Sequence, residues 1–401
     1  MTREGGAREG TVKCVVWDID NTLLTGVYLE AGDQPPQADP VLAAVLAELG
    51  ERGILHALAS KNPPEAAAHT ARATGWRFAA AECGWGRKAD ALARIAGTLG
   101  IAVDALAFVD DDPYERAEVG FALPGVLVLS PEEAAEAPGW PEFSPPVITP
   151  EARRRAEMYA ERQQRQAAER SFGGTREEFL ESVGTRVTIA AATAADVPRL
   201  HELAARTRQF NSAAGQAPVA GPGPGTGMTQ DWFRGLLAVA HRDVVTVRLR
   251  DTFGDDGLVG GCVVARDGRT WTVPLLMMSC RAMGRGVIDA LLAWLVREAA
   301  RAGAGRLRVP CVANNRNVPL RLALAAAGFR VPEAAGAGDQ GTAGGGRDGG
   351  GANAGGRNDG GSNAGGSNGG VPAVYQRDVG TALPDLPGWV QAPGERGGDA
   401  A

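Results

Sequence analysis

What this sequence lacks narrows its class before any motif is read. No apolar run approaches the ~18 residues of a membrane-spanning helix, so none is expected. The opening residues, Met1-Thr2-Arg3-Glu4-Gly5-Gly6, hold no apolar signal core, so export is not expected either. There is no basic excess. Lys and Arg number 41 against 47 Asp and Glu, a formal charge of −6, which points away from nucleic acid and membrane surfaces. Histidines are few, at 56, 69, 201 and 241. None falls at an expected strand tip or glycine loop, and helix or strand surfaces are their expected places. The five cysteines, at 14, 83, 262, 280 and 311, show no paired spacing. That excludes a disulfide frame and a zinc site and suits reduced thiols in a cytoplasmic protein.

What is present is organised. At 401 residues the chain is long enough for two or three domains, each with its own core. Over 11–130, apolar strands (Val12–Asp18, Ile54–Ser60, Ala105–Asp110, Val126–Leu129) alternate with Ala/Leu-rich helices (Pro40–Arg52, Pro64–Gly75, Arg87–Gly100, Pro113–Leu123). Such alternation predicts an α/β domain with a parallel sheet, whose ligands bind at the carboxyl ends of the strands. Residues 1–10 read as a flexible N-terminus and 131–182 as a connector with a charged helix. A second domain is expected over 183–333. Its strands are Arg186–Ala190, Val244–Arg250, Leu258–Arg266, Thr270–Met278 and Arg306–Val312, with helices among them. The Gly/Asn-rich tract 334–370 has almost no apolar side chains and is expected to be disordered. A last strand follows at 371–379 and a loose tail at 380–401.

The chemistry is concentrated at the strand ends of the first domain. The run Val15-Val16-Trp17-Asp18-Ile19-Asp20-Asn21-Thr22 is a buried strand that stops in two acids and a threonine. Asp18 and Asp20 would share one side of the strand tip. Carboxylates so close repel unless a cation lies between them, which suggests a Mg²⁺ site with one Asp free to attack phosphorus. Ser60-Lys61 ends the second strand, Lys88 opens a helix, and Asp110-Asp111-Asp112 ends a later strand. Phosphoryl transfer needs a nucleophile, a metal, a hydroxyl or amide donor and a cation, and all four types are here.

This pattern resembles the haloacid dehalogenase (HAD) superfamily. The resemblance implies a HAD-like Rossmannoid sheet, with Asp18 as nucleophile and Asp20 as general acid/base. Mg²⁺ would be held by Asp18, the Asp20 backbone carbonyl and Asp110 or Asp111. The phosphoryl group would meet Thr22, Ser60 and Lys88, with Lys61 facing solvent. The spacings from Asp20 to Ser60 and from Ser60 to Lys88 leave no room for a large inserted cap.

In the second domain, Arg281-Ala282-Met283-Gly284-Arg285-Gly286 lies between a strand and a helix, where backbone N–H groups can meet a phosphate. A helix, a strand, Asn314-Asn315-Arg316-Asn317, another helix and Gly328-Phe329 follow. This order is similar to the α+β GNAT acyltransferase fold. It implies pantetheine or acyl contacts from Asn211, Arg281, Gly284, Gly286 and Asn314, although helix capping would explain either asparagine equally. A HAD-like domain followed by a GNAT-like domain resembles the FkbH-like family over roughly 11–333 and the last strand. That resemblance implies a glyceryl group taken from 1,3-bisphosphoglycerate, a small phosphorylated three-carbon substrate, with loss of phosphate. The acyl group would pass to the phosphopantetheine thiol of an acyl carrier protein in polyketide or related biosynthesis. The chain departs from the family at Ile19 and Tyr28, where many members carry Cys, and at Leu24, where Trp is common. Cys83 is the candidate substitute thiol. Cys280 and Cys14 read as packing, and Trp85 as a residue of the cleft. The competing readings are a Mg²⁺-dependent HAD phosphatase with the GNAT-like domain as lid or carrier-docking module, and a non-catalytic scaffold.

Overall fold

The computed structural model describes residues 12–31, 36–213, 227–332, 372–380 and 382–393. The expected disordered tract, 334–370, and the N-terminus, 1–10, lie outside them. The first domain is a five-stranded parallel sheet built from β1 (Cys14–Trp17), β2 (Leu55–Ser60), β3 (Ala80–Cys83), β4 (Leu106–Val109) and β5 (Leu127–Leu129), in the order β3-β2-β1-β4-β5. β1 is central and fully buried because both faces are covered. Val15 and Trp17 join Leu46, Leu58 and Val109 in one layer, while Cys14 and Val16 join Leu92, Ile95 and Phe108 in the other. This is the period-2 alternation of a strand buried on both faces. The helix Lys88–Leu99 packs on the second layer through Leu92, Ile95 and Leu99. Burial of each contributes roughly 1.5–3 kcal/mol and anchors the helix whose first residue is Lys88.

The second domain is a seven-stranded mixed sheet. Its strands are β6 (Arg186–Ala191), β7 (Arg242–Asp251), β8 (Gly254–Asp267), β9 (Thr270–Met278), β10 (Arg306–Val312), β11 (Pro372–Asp378) and β12 (Val390–Gln391), ordered β11-β10-β9-β8-β7-β6-β12. The pairings are antiparallel except β9 with β10 and β6 with β12. β9 and β10 pair only through Thr270–Thr272 and Arg306–Arg308, then part. The α/β first domain and α+β second domain match the fold class read from the sequence. Between β1 and β2 the described residues form one 3-10 turn and the helix Pro40–Glu51, with no separate cap.

Three local readings are corrected. β3 is an edge strand that Ala-Ala-Glu-Cys, without β-branched residues, does not announce. The tail expected to be loose after Gly380 adds β12 to the sheet edge, and Leu386, Trp389 and Val390 pack on the core. His56, expected on a surface, is buried and accepts a 3.0 Å hydrogen bond at Nδ1 from Trp17 Nε1. Burial pushes its imidazole down to about 3, so it stays neutral.

The charged helix Arg155–Ser171 ties the two domains together. Gln163 donates to the Ala79 carbonyl at 2.6 Å and Arg162 to Leu99 at 3.1 Å. Arg165, buried, forms a two-pronged pair with Asp251 of β7. A helix this polar is stable here because its charges are spent on partners in both domains. Among the described residues no helix is long and apolar enough to cross a membrane.

Candidate active site

The register of the parallel sheet assembles the site. Trp17 lies opposite Leu58 on one side and Val109 on the other. Asp18 and Asp110 therefore emerge side by side, and the Asp18 N–H donates to the Val109 carbonyl at 2.9 Å. Ser60 ends the other neighbouring strand. Lys88, 5% exposed, reaches both acids. Its Nζ lies 2.9 Å from Asp18 Oδ1 and hydrogen-bonds Asp110 Oδ2. The loop after β4 is held rigidly. Asp110 Oδ1 accepts from the Asp112 N–H, Asp112 caps the next helix at Tyr114 N, and Arg116 donates to the carbonyls of Asp110 and Asp111.

Asp18, Asp110 and Asp111 each offer a carboxylate oxygen, all within 4.8 Å of one another. One ammonium, paired with Asp18 and Asp110 only, serves a cluster of three acids, so the cluster holds excess negative charge. Asp18 Oδ1 has only the poorly directed contact with Lys88, and no hydrogen bond. Burial, then the charge of Asp18, pushes Asp110 up to about 6. Burial also raises Asp18, against the pull of Lys88. Burial alone would lower the Lys88 ammonium, but Asp18 and Asp110 raise it above its ordinary value, so it is fully charged. Three hard oxygen donors with an underused buried oxygen, and no His or Cys among them, fit Mg²⁺ rather than zinc.

The remaining predicted residues fall in different places. Ser60 is buried at the tip of β2, where its hydroxyl accepts from Asn62 Nδ2 at 3.1 Å. The Asp20 carboxylate is not among the three mutually close acids; it accepts from Tyr28 N and Asn62 Nδ2 at 2.9 Å each. Thr22, 2% exposed, braces Asp111 by accepting from its N–H at 3.2 Å. Its hydroxyl is spent there rather than aimed outward at a phosphate. Lys61 pairs with Glu115. Asn62, which sequence reasoning passed over, is 1% exposed and bonds both Asp20 and Ser60. Its signal was its place in Ser60-Lys61-Asn62, directly after the strand tip. Cys83 is half-buried. Burial first, then nearby acids including Asp18, pushes its thiol up to about 11, so it carries almost no thiolate at neutral pH. Trp85 is 70% exposed.

In the second domain the candidate residues do not converge. The Asn211 amide donates to the carbonyls of Ala204 and Thr207 and accepts from Ala213 N, so it brackets a helix end. Asn314 Oδ1 accepts from Arg316 N and Asn317 N, a local turn. Gly284 and Gly286 have φ of +75° and +67°, which explains glycine at both. A Cβ at Gly284 would lie 2.2 Å from Arg176 Nη2, and one at Gly286 2.7 Å from the Trp389 ring. Arg176 and Trp389 of the same chain thus approach the loop at its two glycines, while Gly284 itself stays exposed. Arg281 is separated from both glycines: it lines a cavity between the domains, whereas they line another of about 340 Å³.

No family model and no curated protein matches the chain. Among solved structures, it is similar to the N-terminal part of a Bacteroides fragilis protein containing a phosphatase domain complexed with Mg. The identity is 29% over 33% of this chain and 39% of that one, with a TM-score of 0.29. It is similar to 3-deoxy-D-manno-octulosonate 8-phosphate phosphatase from Moraxella catarrhalis at 21% identity, over 29% and 64%, with a TM-score of 0.24. It is also similar to nourseothricin acetyltransferase at 21% identity, over 48% and 99%, with a TM-score of 0.29. The chain thus spans less than two thirds of the length of either phosphatase structure. TM-scores this low decide nothing about its chemistry, which is left to the residues themselves.

Proposed function

We propose that the chain is a Mg²⁺-dependent phosphoryl-transfer enzyme acting on a small phosphorylated acyl donor. On the FkbH-like resemblance, the donor is 1,3-bisphosphoglycerate and the acyl group passes to the phosphopantetheine thiol of an acyl carrier protein. The observation that carries the phosphotransfer half is the convergence of Asp18, Asp110 and Asp111 around Lys88 at the carboxyl ends of neighbouring parallel strands. Asp18 attacks the phosphorus of the ester phosphate on C3, and the bond from phosphorus to the C3 oxygen breaks. This leaves the C1 acyl phosphate intact, so that the carrier thiol can bond to its carbonyl carbon as that second phosphate departs. Water then releases phosphate from Asp18. Asp20, its carboxylate fixed by Tyr28 N and Asn62, exchanges the proton. Lys88 and Ser60 steady the phosphoryl oxygens. Bound Mg²⁺, held by Asp18, Asp110, Asp111 and the Asp20 carbonyl, would neutralise charge between the acids and the phosphate.

A second reading is a plain phosphatase, with the GNAT-like domain as lid or carrier-docking module. Ile19, fully buried, and the neutral thiol of Cys83 favour it, because neither supplies a reactive thiolate beside Asp18. One experiment tests both: incubate the enzyme with Mg²⁺, 1,3-bisphosphoglycerate and a carrier protein, then weigh the carrier by mass spectrometry. A gain of one glyceryl unit supports acyl loading. Phosphate release with an unchanged carrier supports the phosphatase. No phosphate release at all would remove both readings.

A further inference from the structure

A cavity of about 380 Å³ lies between the two domains, at the opposite edge of the parallel sheet from Asp18. Lys13 precedes β1, Leu55 opens β2 and Ala105 precedes β4, and all three line it. From Lys13 to Asp18 the chain runs roughly 16 Å, at about 3.3 Å per strand residue. The cavity therefore does not belong to the Asp18 site.

Its charge is one-sided. Seven Lys or Arg side chains line it against two acids, Asp104 and Glu202. Both acids are already engaged. Glu202 pairs with Arg155 and Arg199 and accepts from Thr149, and Asp104 pairs with Arg316. Two of the cations left over, Arg206 and Arg281, are buried with donors unspent. Arg206, 8% exposed, has no partner at Nε or Nη1. Arg281, 3% exposed, has none at Nε or Nη2, and the nearest acid, Asp256 at 3.9 Å, is closely paired with Arg285. Lys13 donates one N–H to the Arg206 carbonyl at 2.7 Å.

Buried charges without counter-charges are costly, and several of one sign in one cavity compound the cost. Burial first, then neighbouring arginines, pushes Lys13 down to about 8 and Arg206 to about 9. A polyanion would remove that cost. Forked guanidinium donors match tetrahedral phosphate oxygens, and the volume admits little more than a compact ligand.

We infer that this interdomain cavity is a second ligand site, for a compact phosphate ester or diphosphate held by Lys13, Arg206 and Arg281. It does not rest on the function proposed for Asp18. Nor is it the glycine loop, whose Gly284 and Gly286 face the other cavity.

Inorganic pyrophosphate is the probe, titrated calorimetrically into the full chain in EDTA, so that the Asp18 cluster has no metal with which to attract an anion. One site is expected, weakening as salt rises. Arg206→Gln and Arg281→Gln should each weaken it at least about tenfold, the loss of one charge-assisted contact. Asp18→Asn should leave it unchanged. If the glutamine variants fail to fold, Lys13→Met carries the same expectation. Absence of binding up to about 10 mM, far weaker than a built site gives, overturns the inference. So does equal affinity in the folded cavity variants, or loss in Asp18→Asn.

Discussion

The carboxyl edge of the parallel sheet and the glycine loop of the second domain both look like anion-handling sites in the sequence, yet the fold treats them oppositely. At the sheet edge, Asp18, Ser60, Lys88 and Asp110 come from four separate segments and meet. At the loop, residues close in sequence are turned apart: Arg281 to one cavity, Gly284 and Gly286 to another. Asn211 and Asn314, meanwhile, satisfy backbone groups of their own segments. Parallel strands in register must bring their ends together, so an acid at each end is a strong signal. Asn and Gly beside a helix serve capping as readily as binding, so their presence decides little.

The hardest blow to this contrast would come from Asp18→Asn. We expect phosphate release to fall at least ~10³-fold with the fold intact, since a nucleophile and a metal ligand are lost with little change in shape. Steady-state phosphate assays with circular dichroism check both halves. A variant keeping a tenth of its turnover would remove Asp18 from its role.

Mg²⁺ should come next. Chelation should abolish phosphate release, and adding the ion should raise Tm. Asp110 has a folded pKa of about 6, above its unfolded value, so the metal-free fold gains stability as pH falls through 6 and loses it as pH rises. Protons and Mg²⁺ then compete for the same oxygens. The Mg²⁺-induced rise in Tm should be full well above pH 6 and shrink below it. A rise independent of pH would place the ion elsewhere.

Gly284→Val should separate the two domains' outputs. Its positive φ and the contact with Arg176 predict about 1–3 kcal/mol of lost stability. On the acyl-loading reading, carrier acylation should fall far more than phosphate release. Equal loss of both would mean that the second domain mainly shapes the first domain's site. The smallest effect belongs to Asn211→Ala. Its lost bracket should cost roughly 1–3 kcal/mol in denaturant unfolding, with phosphate release per folded molecule unchanged. A selective loss of acyl transfer instead would restore Asn211 as a ligand contact.

Much of the first domain was legible because its signals are local. The alternation in Val15-Val16-Trp17 marks a strand buried on both faces, and the acids after it mark its functional end. β3 was not legible, since an edge strand buries too little to need apolar residues. β12 was hidden in a Pro/Gly-rich tail, where two residues suffice to pair with Val187 and Thr188. The cationic cavity was beyond sequence reading altogether. Lys13, Arg206 and Arg281 are far apart along the chain and mix with many other arginines, and only tertiary contact makes them neighbours.

The brevity of β1 has a consequence for how this chain can vary. Four residues, Cys14–Trp17, separate Lys13 from Asp18. Because strand side chains alternate, one inserted or deleted residue would carry Trp17 and Asp18 to the wrong faces together, or drive the slip into the opposite end. The strand works as a ruler with no spare divisions. Lineages of this protein should therefore keep the count from Lys13 to Asp18 fixed even where the apolar residues between them are exchanged.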